Sequence, residues 1–180
     1  FTSQFVASLR AGQVDGAGLW WYVVTVLVAN VVQGCVVLPL ILLIKKLSPR
    51  RLFTAFKPAL TTAFLSKSSN STLPVTMQCA EKRAGISSTV SKFVLPLCAT
   101  INMNGCAAFI LITVMFVGNS YGIVFSVVDK IVWVLIATIA AVGNAGVPMG
   151  CFFLTSAFLA HLHLPLHLMG VILPVYALID

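Results

Sequence analysis

Apolar runs separated by short polar knots set the organisation of this chain. Residues 1–18 are mixed and Gly-rich and read as the end of a preceding element plus a loop. Residues 19–50 form a transmembrane helix and a basic cytoplasmic loop. Leu19 to Ile44 is apolar apart from Asn30, Gln33 and Gly34, long enough for a bilayer core of about 30 Å. Trp20, Trp21 and Tyr22 suit an aromatic belt, and Lys45, Lys46, Arg50 and Arg51 suit the cytoplasmic end. Residues 51–85 hold two short arms, Leu52–Leu65 and Leu73–Ala80, around Lys67-Ser68-Ser69-Asn70-Ser71-Thr72. Basic residues at both outer ends predict a re-entrant hairpin with its polar tip inside the membrane, where only protein or a cavity can surround it. Pro74 suits the start of the second arm's helix.

Residues 86–118 predict a discontinuous transmembrane helix. Its apolar flanks, Val94–Leu97 and Ala107–Val117, enclose Thr100-Ile101-Asn102-Met103-Asn104-Gly105. Asn and Gly both favour non-helical backbone, so the helix should break there. Two asparagines two residues apart on an intact helix lie about 200° apart, so a shared site needs that unwinding. Residues 119–168 repeat the hairpin pattern. An outer polar turn (119–123) leads to the arm Val124–Val142, a Gly/Asn/Pro tip (143–150) and a returning arm, Cys151–Leu168. Two interrupted segments in corresponding places point to a transporter site built from inverted repeats. Residues 169–180 begin a last helix that the sequence cuts short.

Composition supports a membrane protein. The 180 residues are 59% hydrophobic and 8% charged, with mean hydropathy +1.05. Soluble domains carry roughly 25% charged residues. The net charge of +7 reflects 11 Lys and Arg against 4 Asp and Glu. Eight of the eleven (residues 45, 46, 50, 51, 57, 82, 83 and 92) fall in segments assigned to the cytoplasm, as the positive-inside rule expects. No interleaved basic and aromatic surface suggests a nucleic acid. The five cysteines form no C-x-x-C pair and read as buried, reduced thiols. No signal peptide is legible in residues 1–16. The start at Phe1 and the end inside an apolar run read as a piece of something longer.

The polar knots carry the candidate chemistry. A catalytic serine in the Ser68–Thr72 cluster lacks a G-x-S-x-G elbow and a nearby His or acid. A surface loop fits the flanking apolar arms poorly. Asn102 and Asn104 suit cation binding at an unwound helix, with helix–helix hydrogen bonding as the plainer role. His163 and His167 share a face at i, i+4 if the arm is one helix, but no H-E-x-x-H accompanies them. Interfacial histidines fit better, with Asp129 and Lys130 also at the outer interface and Pro165 ending or kinking the arm.

Three stretches, Ala63–Thr76, Leu95–Gly105 and Gly143–Pro148, resemble in order and spacing the first hairpin, seventh helix and second hairpin of the dicarboxylate/amino acid:cation symporters, the glutamate-transporter type. The resemblance covers about Leu19 to Asp180. It implies sodium- or proton-driven uptake of an amino acid or dicarboxylate by a homotrimer whose transport domain moves like an elevator. It implies substrate contacts at Lys67, Ser68, Ser69, Cys106, Val147 and Cys151. It implies cation ligation around Cys98, Thr100, Asn102, Asn104, Val142 and Asn144, by the side chain at Asn102 and by carbonyls at Cys98, Thr100, Val142 and Asn144. Met103 reads as a soft ligand or, equally, as a packing residue. Asn104 replaces the acid of the usual Asn-Met-Asp-Gly. A neutral amide ligates sodium without offsetting its charge, so one sodium site and the ion coupling are altered. Ala141 stands where serine is common, and Cys98 where glycine is. The family's remaining substrate and cation residues would lie on an eighth helix beyond Asp180.

The expectation is therefore an all-α integral membrane protein with two re-entrant helical hairpins and a discontinuous helix, multi-pass in the cell membrane (the inner membrane if bacterial). It is not an enzyme. It has no covalent cofactor, sodium ions as coupled substrate, and the lipid bilayer as partner. A non-transporting truncated remnant is the alternative, and an intramembrane hydrolase using the serine cluster with a histidine a weaker one.

Overall fold

The computed structural model describes residues 16–144, 147 and 149–179. The expected opening segment lies, through residue 15, outside them. So do Ala145, Gly146 and Pro148 of the second tip. Every regular element among the described residues is helical. The chain runs through α1 (Gly16–Val32), a π turn (Gln33–Val37) and α2 (Leu38–Ile44). Next come α3 (Pro49–Ser66), α4 (Ser69–Lys82) and α5 (Ser88–Ile101). The remaining helices are α6 (Asn104–Ser120), α7 (Val127–Gly143), α8 (Gly150–His161) and α9 (His167–Ile179).

Among the described residues, two stretches are long and apolar enough to cross a membrane by length and composition, 18–44 and 88–120. The first has 27 residues, about 40 Å at 1.5 Å per residue. Its most apolar window has no buried residue, so that surface needs lipid or further protein. The π turn falls at Gln33 and Gly34, with the Leu38 N–H bonded to the Gln33 carbonyl. Pro39 explains it: a proline has no N–H for the residue four before it and its ring crowds that carbonyl, so the helix widens by one residue.

Packing divides the chain into two units. One comprises the chain up to Asn30, residues 104–141 and residues from Met149 on; the other comprises residues 31–103 and 142–148. In the first, α6 buries Cys106, Phe109, Ile110, Thr113, Val114 and Val117, a stripe at helical spacing. Cys151, Thr155 and Leu159 of α8 are buried, and α8 packs on α6. Tyr22 of α1 meets Thr113 of α6 through a buried hydroxyl pair at 2.9 Å, with its ring 4.9 Å from Phe116. A Cβ on Gly118 would lie 2.5 Å from the Phe125 ring, so this close approach requires glycine. In the second unit, α3 packs on α4 and α4 on α5. The buried positions there are small, Ala55 and Ala59 on α3 and Thr72, Cys79 and Ala80 on α4, which lets the backbones approach.

Helix ends explain where the observed boundaries depart from those expected. The returning arm does not run to Leu168. It stops at His161, and α9 starts at His167. His163 takes the left-handed conformation (φ 55°) and donates to the Ala160 carbonyl at 3.0 Å, while Leu164 donates to Leu159 at 2.9 Å. This is a Schellman cap, sealed by buried Leu159 and Leu164. Lys46–Leu47 ends α2 in the same way, with N–H bonds to Leu43 and Leu42, and Gly122–Ile123 ends α6. Glycine announces only the last of these. His163 and His167 therefore do not share a helix face. His167 instead meets the Tyr121 hydroxyl at 3.2 Å, and no cluster of three metal-binding side chains exists among the described residues. Pro74 lies inside α4 rather than at its start, because Ser68 caps the helix earlier. At α7, Ser126 and Asp129 exchange backbone-to-side-chain bonds of 2.9 and 3.2 Å, a capping box that holds the exposed Asp129 carboxyl below its usual pKa.

Two substitutions test this account in thermal unfolding. Replacing the left-handed histidine, His163→Gly, removes a Cβ penalty of roughly 1–2 kcal/mol and adds backbone entropy of roughly 0.5–1 kcal/mol. It should raise stability by up to about 1.5 kcal/mol, and a lower melting temperature would contradict the cap. Gly118→Ala should destabilise by about 1–3 kcal/mol through overpacking against Phe125, and a neutral effect would mean that the ring moves freely.

Candidate functional site

The three polar knots all fall at helix ends. The first is the turn between α3 and α4. Lys67 sits in the left-handed region (φ 51°), and its N–H closes α3 on the Ala63 carbonyl at 2.8 Å. Ser68 is extended (φ −146°, ψ 118°) and caps α4, accepting from the Ser71 N–H at 3.3 Å. Thr72 donates its hydroxyl to the Ser68 carbonyl at 2.9 Å and lies 3.0 Å from the Ser66 hydroxyl. This network closes the turn. Ser68 and Thr72 are buried within it, while Lys67 and Ser69 are exposed. The tip therefore presents Lys67, Ser69 and the start of a helix, whose dipole favours an anionic group.

The second knot separates α5 from α6. Asn102 leaves the helical region (φ −89°, ψ 74°) while its N–H still reaches the Cys98 carbonyl at 2.9 Å. Met103 donates to the Ile101 carbonyl at 3.1 Å, not to Ala99, its helical partner. Asn104 is the first residue of α6. The last carbonyls of an interrupted helix lack the donors the next turn would supply. A cation can use such oxygens. Thr100 bonds its hydroxyl to the Leu97 carbonyl at 2.8 Å, so its side chain is committed locally. Asn102 and Asn104 are exposed.

In the second unit, Ser69 and Cys98 come together. They line a cavity of about 240 Å³ with Ala63, Thr72, Thr76 and Ala99, among others. Thr72 and Thr76 were not singled out as site residues from the sequence. The signal was there: Ser68, Thr72 and Thr76 recur every four residues, a hydroxyl stripe along one helix face. The end of α7 contributes Val142, exposed, and Asn144, buried, whose carbonyl accepts from the Val147 N–H at 3.3 Å. In the first unit, Cys106 and Cys151 are both buried, on the packed pair α6 and α8. Gly105, at the start of α6, faces Asn30 of α1. A Cβ there would stand 3.4 Å from the Asn30 Oδ1, so this amide approaches closely.

Comparison with known proteins gives this arrangement a family. Residues 6–180 match the sodium:dicarboxylate symporter family. The chain is similar to the neutral amino acid transporter B(0) of Rattus norvegicus, 35% identical over 164 residues, covering 91% of this chain and 30% of the relative. To its Homo sapiens counterpart it is 34% identical over 182 residues, covering 98% and 34%. A Caenorhabditis elegans protein with the provisional name sodium-dependent excitatory amino acid transporter glt-4 is 32% identical over 163 residues, covering 90% and 33%. The chain spans about a third of the length of the curated relatives it matches. With a family match over nearly its whole length, and relatives above 30% identity covering nine-tenths of it, the chain belongs to the sodium:dicarboxylate symporter family, whose members are transporters and not enzymes.

Proposed function

We propose that this chain is the transport-domain portion of a multi-pass membrane symporter that moves an amino acid or dicarboxylate together with sodium. The observation that carries the reading is the family match over residues 6–180, joined to the position of all three matched polar stretches at helix ends. Helix ends supply the backbone groups that ion and substrate binding need. In this reading the α3–α4 pair and the α7–α8 pair are re-entrant hairpins, and α5 and α6 are halves of one discontinuous spanning helix.

The first turn of α4 receives the substrate's carboxylate, with Lys67 and Ser69 at the tip and Ser68 holding its shape. Val147 and Cys151 belong to the second hairpin's side, and Cys106 is a further substrate contact. Sodium binds at the helix interruption through carbonyls at Cys98 and Thr100 and the Asn102 side chain. Met103 and Asn104 adjoin it, as do Val142 and Asn144 from the end of α7. Because the Asn104 amide carries no charge, a sodium ion there keeps more of its own. Ion coupling is then weaker than where an acid stands. The whole protein works as a homotrimer in the lipid bilayer, with this portion moving as the elevator.

Uptake of radiolabelled amino acids by the full-length protein in cells is the direct test. Sodium-dependent uptake that Asn102→Ala abolishes, at unchanged surface expression, is the expected result. Uptake indifferent to both sodium and this substitution would sink the proposal. Hydrolysis of a peptide substrate by the wild type would favour an enzyme instead. A second measurement concerns Asn104: Asn104→Asp should steepen the sodium dependence of uptake, and an unchanged Hill slope would remove Asn104 from the ion site.

A further inference from the structure

The second unit has a feature that the transport reading does not use. Leu38 and Leu42 of α2 and Phe53, Phe56 and Leu60 of α3 line a groove of about 280 Å³ whose walls carry no polar surface. The two helices forming it are joined by residues 45–48, and the groove's wall residues run up to that corner from both sides. The corner and the first turn of α3 carry Lys45, Lys46, Arg50 and Arg51, all exposed. Lys46 holds the left-handed conformation that turns the chain there (φ 58°). Four cations thus cluster at one end of a wholly apolar channel.

Their counter-charge is missing from this part of the chain. The four acidic residues of the sequence are Asp15, Glu81, Asp129 and Asp180, so residues 16–80 contain none. The second unit as a whole has Glu81 alone against nine Lys and Arg (residues 45, 46, 50, 51, 57, 67, 82, 83 and 92). Topology alone would call for basic residues at a cytoplasmic helix end. It does not call for an apolar groove ending on them. An apolar channel capped by unneutralised cations is complementary to a molecule with a long hydrocarbon tail and an anionic head.

We propose that the α2–α3 corner is a binding site for an anionic phospholipid, with one acyl chain in the groove and the phosphate against Lys45, Lys46, Arg50 and Arg51. The tail removes the exposed parts of Leu38, Phe53 and Leu60 from contact with bulk lipid or water. The head supplies the negative charge the unit lacks. Neither half of the site suffices alone. A zwitterionic lipid offers the same tail without the net charge, and a free anion offers charge without the tail.

Native mass spectrometry of the full-length protein in detergent tests this with phosphatidylglycerol and phosphatidylcholine of identical chains. Phosphatidylglycerol should be retained about tenfold more strongly. The fourfold variant with Lys45, Lys46, Arg50 and Arg51 changed to Gln should abolish that preference. Leu42→Trp, which fills the groove, should lower retention of phosphatidylglycerol while leaving the charges in place. Equal retention of the two lipids by the wild type, or an unchanged preference in the fourfold variant, would overturn the proposal. Should Leu42→Trp impair folding, a photo-crosslinking amino acid at position 42 in native membranes gives an independent answer. A lipid adduct supports the site. A peptide adduct, from another segment or a second copy, means that protein covers the groove and refutes it. Lipid retention is measured without transport, so a failed uptake assay leaves this result standing.

Discussion

A helix that stops leaves backbone groups in need of partners, and almost everything distinctive in this chain follows from how each stop is handled. In lipid no water is available to take up such groups. Three helices close with Schellman caps at Lys46–Leu47, Gly122–Ile123 and His163–Leu164, each satisfying the last carbonyls with two backbone N–H groups. α4 and α7 open with side-chain caps at Ser68 and Ser126. The interruption at Asn102–Met103 is different. The Met103 N–H turns back to Ile101, and the chain starts a new helix at once with Asn104. The helix thus ends here without the paired N–H bonds of a Schellman cap.

Packing follows from residue size. α6 is largely apolar all round, and the residues it buries form one stripe from Cys106 to Gly118. Small residues control the closest contacts. Gly118 lies against Phe125, Gly105 against Asn30, and alanines face the hairpin partner on α3. The hydroxyls that stabilise the α3–α4 turn are held between these close backbones. They bond to one another and to the Ser68 carbonyl, so the turn is rigid where Lys67 and Ser69 emerge.

Electrostatics is lopsided. Eleven basic residues face four acidic ones, and none of the acids lies between residues 16 and 80. The side chains offered at the helix interruption are amides, hydroxyls and thiols, not carboxylates.

The sequence by itself determined the helical class, the placement of three polar knots between apolar arms, and the symporter family, because hydrophobic runs and short motifs are local and survive in one dimension. Asn102 as the end of a helix was legible from two amides and a glycine in four residues. Tertiary structure alone decided which helices end early. Nothing in the residue types at Lys46 or His163 announces a left-handed cap, since the conformation is closed by backbone bonds from Lys46 and Leu47 to Leu43 and Leu42, and from His163 and Leu164 to Ala160 and Leu159. The start of α4 at Ser69 rather than Pro74 belongs to the same class, set by the Ser68 cap and the hydroxyl network with Ser66 and Thr72. The cavity shared by Ser69, Thr76 and Cys98 likewise depends on α4 lying against α5, a contact between residues far apart in sequence.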